Sequence, residues 1–334
     1  MESGTNGLAQ SASDRSIPQT DTLDHSKYWK GLFMRYRTNS LLPVLVVLAL
    51  FVSHDLRSQD SWTINAANNY RIVSNVIYST ANGYDCKLDV YVRNNSAAPT
   101  PTVVFIHGGG WVAGTKEGTV MSLLPYLEMG LNVVNVEYRL ARVSLAPAAV
   151  QDCRLALRWV FKNAKQYGFD TTKIIVSGGS AGGHLALTTG MLDPSYGFDT
   201  PTDWDYAGVE PKVAAIVNWF GISNVKELLS GPNRQEYAVD WLGALPNKEA
   251  VALSVSPITY VRKGLPPIFT VHGDKDQLVP YTQAVKFHEA LTKAGVPNQL
   301  VTIPGGRHGG FTKDEMTNIH GAIKEFLKKY KIVE

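Results

Sequence analysis

From Thr102 onward the chain alternates short, unbroken apolar runs with longer stretches in which apolar residues recur every three or four positions. The short runs suit strands buried on both faces of a parallel sheet, and the longer period suits helices laid over it. The runs are Thr102 to His107, Asn132 to Tyr138, Lys173 to Ser177, Val213 to Trp219, Pro267 to Gly273 and Gln299 to Ile303. Upstream, Tyr70 to Thr80 and Lys87 to Arg93 flank Asn82-Gly83, a turn signal for an antiparallel hairpin. The pattern predicts an α/β fold with about eight strands, mostly parallel, and helices on both faces.

Helices are predicted near Glu117 to Glu128, Ala148 to Tyr167, Gly182 to Met191, Thr282 to Ala294 and Lys313 to Tyr330. In the second, Val150, Cys153, Leu157, Val160 and Ala164 share one face behind a helix-starting Pro147, so Cys153 reads as a core thiol. Two stretches break the alternation, Leu192 to Glu210 and Asn224 to Arg262. Both are expected as insertions near the site, forming part of a lid or an acyl pocket.

The first sixty residues differ in kind. Residues 1–24 are polar and predict disorder; Lys27, Lys30, Arg35 and Arg37 then precede an apolar run, Leu41 to Val52. That run is shorter than the roughly 20 residues of a membrane span and suits the centre of a signal peptide. Read from Met34, the chain has a short basic leader, an apolar segment and a polar exit, which predicts translation from Met34. The expected organisation is a leader plus signal peptide or anchor over residues 1–59, a catalytic domain over 60–334, and export from the cytoplasm.

The 334 residues are 44% hydrophobic and 18% charged, which excludes wholesale disorder. Lys and Arg number 32 against 29 Asp and Glu, with no basic stripe, so nucleic acid is not an expected partner. Cys86 and Cys153 are too few for a disulfide framework or a cysteine zinc site; they form one disulfide or remain two thiols.

Candidate chemistry sits at the ends of the predicted strands. Ile174 to Ser177 runs into Gly178-Gly179-Ser180-Ala181-Gly182-Gly183, a G-x-S-x-G turn between a strand and a helix. Such a turn strains the serine backbone and exposes its hydroxyl, and side chains in place of the glycines would strike the neighbouring strand and helix. A nucleophilic serine needs a base, and in this motif's chain order base follows acid follows serine. Of eight histidines that leaves His288, His308 and His320. His288 and His320 fall in predicted helices and are expected at the surface, whereas His308 lies in the flexible turn Pro304 to Gly310 after the last strand. Asp274 and Asp276 both follow the preceding strand, and spacing does not separate them. At the end of the first central strand, His107-Gly108-Gly109-Gly110-Trp111 leaves backbone N–H groups unshielded. Gly109, Gly110 and Ala181 are the expected donors to a developing oxyanion. Trp111, adjacent to those glycines, is expected at the substrate. Trp219, Phe220, Trp204 and Trp241 are further wall candidates, while His107 is read as bracing the glycine loop and His184 as packing behind the serine turn.

On these motifs the stretch from about Tyr70 to Tyr330 resembles the α/β-hydrolase superfamily, and within it the carboxylesterases with an H-G-G-G-W motif: the hormone-sensitive-lipase-like and BD-FAE-type esterases. Val136-Glu137-Tyr138-Arg139-Leu140 and Ala146-Pro147-Ala148-Ala149-Val150-Gln151-Asp152 look like the family's segments between the glycine loop and the serine. The family pattern H-G-x-x-D-x-x-V-P, met here by His272 to Pro280, places the acid at Asp276. The resemblance implies hydrolysis of short-chain, aryl or carbohydrate-linked esters by Ser180, His308 and Asp276, with no metal or organic cofactor. An imidazole base implies activity falling below about pH 6 to 7. The chain lacks the long N-terminal helical cap of many hormone-sensitive-lipase-like members, so long-chain lipase activity is not implied.

Three other readings compete. A formamidase or other amide hydrolase would use the same triad, and a catalytically inactive hydrolase fold could serve as a binding module. Gly108 to Ala113 also fits G-x-G-x-x-A, with Glu137 ending the next strand like a ribose-binding acid, as in an NAD-dependent oxidoreductase.

Overall fold

The computed structural model describes residue 64, residues 66–199, residue 206 and residues 208–334, all within one compact unit, Arg57–Glu334. The leader, the apolar run Leu41 to Val52, and Trp204 lie outside the described residues. No helix among the described residues is long and apolar enough to cross a membrane.

Eight strands form one sheet: β1 (Tyr70–Ala81), β2 (Tyr84–Arg93), β3 (Thr100–Ile106), β4 (Asn132–Val136), β5 (Phe169–Gly179), β6 (Ala215–Trp219), β7 (Ile268–Gly273) and β8 (Asn298–Ile303). Their order is β1-β2-β4-β3-β5-β6-β7-β8. β1 pairs antiparallel with β2, and β2 with β4; every later pair is parallel. The sheet is therefore the mostly parallel, eight-stranded one that the alternation of runs predicts, and its order is that of the α/β-hydrolase fold implied by the resemblance. β4, β6 and β7 are buried at every position, because helices cover both of their faces.

Among the described residues the helices of seven residues or more are α1 (Val120–Glu128), α2 (Ala148–Lys162), α3 (Ala181–Met191), α4 (Glu236–Leu242), α5 (Lys248–Ser254), α6 (Tyr281–Lys293) and α7 (Lys313–Lys329). Alternate residues of each strand point to opposite faces. Val103 and Phe105 of β3 join Leu123 and Tyr126 of α1 and Ile319, Ile323 and Phe326 of α7 in one core. Val104 and Ile106 join Val150 and Leu157 of α2, Leu185 of α3 and Phe287 and Leu291 of α6 in the other. Cys86 and Cys153 are free thiols buried in that second core, where burial pushes Cys86 up to about 12, so neither is a ready nucleophile.

From β3 the chain moves outward to β4 through α1, then returns across β3 to β5 through α2. Because successive crossovers run over opposite faces, a crevice opens between the C-terminal ends of β3 and β5, where ligands bind in sheets of this kind. The crevice is narrow because the two strand ends meet backbone to backbone. A Cβ on Gly178 would lie 2.5 Å from the Ile106 carbonyl oxygen, one on Gly108 would lie 2.8 Å from the Gly179 oxygen, and one on Gly182 would overlap the Ile106 oxygen.

Gly182→Ala should therefore overpack a backbone contact and lower Tm by roughly 2 to 12 °C in thermal denaturation. Gly321→Ala is the control, since its Cβ meets open space within α7. It should leave Tm unchanged or raise it, because alanine is the better helix former.

Candidate active site

Ser180 lies between the last residue of β5 and the first of α3, at φ 58° and ψ −122°. Backbone in this region costs a non-glycine residue on the order of 1–3 kcal/mol, and it holds only where the surroundings fix it. Here the Ser180 N–H donates to the Trp219 carbonyl at 2.9 Å, and the Ser180 carbonyl accepts from His184 N–H at 3.0 Å. The strain turns the hydroxyl into the crevice. Ser180 Oγ is 2.8 Å from His308 Nε2, and His308 Nδ1 is 2.7 Å from Asp276 Oδ2. An ionised carboxylate only accepts, so Nδ1 carries the proton and Nε2 is the acceptor facing the serine hydroxyl.

The two aspartates that spacing left equal have separate partners. Asp276 Oδ1 accepts from the Leu278 and Val279 N–H groups at 2.9 and 3.0 Å, leaving Oδ2 for His308. Asp274 Oδ1 instead accepts from Gly305 N–H at 2.8 Å, and Lys275 N–H donates to the Gly306 carbonyl at 2.9 Å. These bonds join the loop after β7 to the loop after β8, which is how the acid and the histidine share one position. Burial penalises the Asp276 charge, but hydrogen bonds from His272, His308 and Val279 outweigh it and hold its carboxyl well below the ordinary carboxylate range.

His272, fully buried at 0% side-chain exposure, is the residue of this site that sequence reasoning passed over. Its Nε2 is 3.2 Å from Asp276 Oδ2 and 3.0 Å from the Val279 carbonyl. The available signal was its place four residues before Asp276, at the end of a strand.

The glycine loop runs from β3 over the serine. Gly109, Gly110 and Trp111 have φ of +111°, +60° and +62°, and the Gly109 carbonyl accepts from Val112 and Ala113 N–H at 3.1 and 3.0 Å. Gly108, Gly109 and Gly110 border a cleft of about 460 Å³ together with Ser180, His308, Phe220, Tyr237 and Leu278. Ala181 opens α3, so its N–H is among the first-turn donors that have no carbonyl of their own helix to meet. The loop does not lead straight into a helix, and Glu137 Oε2 accepts from Lys116 N–H at 2.8 Å, so the dinucleotide reading finds neither its helix N-terminus nor a free ribose acid.

Trp111 is not at the substrate position. Its positive φ turns the side chain inward, where it is fully buried, stacked on Trp241 at 4.1 Å and donating to His184 Nδ1 at 3.2 Å. Trp241 is likewise interior and not a wall of the cleft. His184 Nε2 meets the Val255 carbonyl at 2.6 Å behind the serine turn, and His107 stacks on Tyr138 at 4.2 Å with Nδ1 on the Gly108 carbonyl at 2.8 Å. Both act as the sequence suggests. His288 is buried rather than at the surface, because α6 packs on β8 and Asn298 Oδ1 meets its Nδ1 at 2.8 Å. His320 is half-buried with its ring 5.2 Å from Trp219.

Of the two inserted stretches, only the second reaches the cleft among the described residues. Tyr237 of α4 forms its wall and donates its hydroxyl to the Leu278 carbonyl at 2.7 Å. The described part of the first lies elsewhere: Asp199 pairs with Arg154 of α2, and Tyr206 donates to the Tyr78 carbonyl.

Burial pushes His107 and His184 down to about 4, so both are neutral in the folded protein. For His184 the geometry agrees, since a proton on Nδ1 would face the Trp111 N–H donor. Unfolding returns each to an imidazole's ordinary value of about 6.5, so the unfolded state binds more protons between about pH 6.5 and 4. Stability should fall across that window by up to about 3 kcal/mol per residue on acidification. Tm followed from pH 7.5 to 4.5 should drop, with a shallower slope in His184→Asn; an unchanged slope would contradict the assignment.

Comparison with known proteins agrees with this geometry. A family model described as BD-FAE matches residues 88–291. Esterase LipC of Mycobacterium tuberculosis is 31% identical over 66% of this chain and 56% of its own length. The isoprenylcysteine alpha-carbonyl methylesterase ICME of Arabidopsis thaliana is 26% identical over 66% of this chain and 53% of its own. The chain thus spans about half the length of the curated relatives it matches. Among solved structures, the apo form of Thermogutta terrifontis esterase 2 aligns with a TM-score of 0.67 and 27% identity, over 80% of this chain and 96% of that one.

Proposed function

Because the chain belongs to the BD-FAE family, we propose that it is a serine carboxylesterase hydrolysing short-chain or aryl carboxylic esters through a covalent acyl-enzyme. The observation that carries this reading is the line Asp276–His308–Ser180, joined by bonds of 2.7 and 2.8 Å at the floor of a glycine-lined cleft. The esterase names of the matched relatives support the same bond type.

Ser180 Oγ attacks the ester carbonyl as its proton passes to His308 Nε2. Asp276 holds the imidazole by Nδ1 and stabilises its charged form. The negative oxygen of the tetrahedral intermediate is met by the N–H groups of Gly109, Gly110 and Ala181; one such donor is worth about 3 kcal/mol in the transition state. His308 returns the proton to the leaving alcohol, and water repeats the sequence to release the acid. His272 acts as a positioning residue: by sharing Oδ2 it fixes the carboxylate plane and draws off part of its charge.

A p-nitrophenyl ester series tests the reading. Turnover should be fastest on short acyl chains, fall about 10⁶-fold in Ser180→Ala and about 10⁴-fold in Asp276→Asn. Activity retained in Ser180→Ala, or absent from the folded wild type on every ester, would overturn it. The rate should fall on the acid side, where a protonated imidazole no longer accepts the serine proton. In His272→Asn the carboxylate regains charge and holds a protonated His308 more strongly, so the acid limb of kcat/KM should move to higher pH. A lower rate with an unmoved limb would mean that His272 is structural only.

A further inference from the structure

A second pocket, of about 320 Å³, adjoins the cleft on the side of α1 and α7. The two share Phe105, Ser122, Gly179 and Phe220 as a common boundary. Beyond it, the pocket is walled by Met121, Trp219, Phe311 and Met316, and its lining contains no Asp, Glu, Lys or Arg. His320 completes the wall, and burial lowers its pKa, which keeps the wall uncharged. Phe220 forms the partition. Its φ is +40°, its N–H is held by the Val271 carbonyl at 2.7 Å, and its ring stands 4.7 Å from His308 and 6.0 Å from Phe311. Gly179 and Gly309 flank the ring, and a Cβ on either would meet it at 3.5 Å, in ordinary van der Waals contact. Strained residues cluster at functional sites, and this one stands beside the triad histidine at the edge of an apolar pocket.

Apolar side chains also stand in water at the lips. Met121 is 75% exposed at the edge of this pocket and Leu278 is 48% exposed at the edge of the cleft. A dry cavity of about 150 Å³ lined by aliphatic and aromatic groups holds benzene. The present pocket has twice that room, with aromatic faces and polarizable thioethers to meet a ring.

Resting on the esterase reading, we propose that this pocket is a specificity subsite for a ring-sized apolar substituent of the ester, so that the preferred substrates carry an aromatic or branched apolar group. The cleft bordered by Tyr237 and Leu278 takes the other substituent.

Chromogenic p-nitrophenyl esters place a ring in every substrate, so the test uses pH-stat titration. Ethyl acetate, benzyl acetate and ethyl 3-phenylpropanoate are compared on the full chain. At least one ring ester should exceed ethyl acetate in kcat/KM by about ten-fold or more. Met316→Trp, which fills the pocket, should lower that ratio at least ten-fold; Met121→Trp, at an exposed position, does the same by closing the mouth and serves if the first variant fails to fold. A wild-type ratio near one, or ratios unchanged by both variants, overturns the subsite. If no ester is turned over, the esterase reading fails, and the pocket is judged by calorimetric binding of benzyl alcohol: binding lost in the variants supports it, and no binding to the wild type overturns it.

Discussion

The close approach of β3 to the serine turn, backbone against backbone, is the constraint on which the site depends. Where Ile106 O faces Gly178 and Gly182, and Gly179 O faces Gly108, there is no room for a single Cβ. The same proximity sets the glycine loop over Ser180, so the donors for an oxyanion and the nucleophile are fixed by one contact. Sheet order makes it available, because the chain reverses its direction across the sheet between β3 and β5 and so leaves their C-terminal ends side by side.

What keeps that contact from relaxing lies in layers behind it. Arg139 and Asp152 form a buried pair at 2.6 Å, and the Arg139 N–H also donates to Asp152 at 2.9 Å. Tyr138, next in the chain, stacks on His107 and donates to its carbonyl at 3.2 Å. On the other side Trp111, Trp241 and His184 fill the space under the loop. A buried ion pair offers little net stability over an apolar replacement, because desolvation offsets the attraction. Its contribution here is orientation: it fixes the chain after β4 against α2, and Tyr138 transmits that fixity to the glycine loop.

Much of this was legible in the sequence because apolar runs and glycines report backbone demands directly. The strand positions, the strained serine and the loop-borne His308 follow from such demands. Trp111 was misplaced because adjacency in sequence says nothing about where a side chain goes once the backbone turns at positive φ, as it does through Gly109, Gly110 and Trp111. His272 stood in the sequence only as the head of a family pattern and Phe220 only as a wall candidate; the parts they play at the acid and beside His308 were not legible, for a related reason. Their importance comes from contacts with residues that are distant in sequence or brought close by a turn, and neither composition nor periodicity carries that information. Asp276 was separated from Asp274 only by family pattern, since both are loop aspartates and the deciding partners, Val279 and Gly305, sit on opposite sides of one interloop seam.

The hydroxyl of Tyr237 ties the segment carrying α4 to the backbone of Leu278, two residues beyond the acid. Asp276 takes its own orientation from the N–H of that same Leu278. The wall that would be exchanged to change what the cleft admits is thus fastened to the peptide that aims the carboxylate. Segments transplanted here from related chains will alter rate along with selectivity unless they bring a tyrosine that reaches the same carbonyl. In this molecule the freedom to diversify is greater on the α1 and α7 side, where Met121 and Met316 change the shape of a pocket without touching the acid's support.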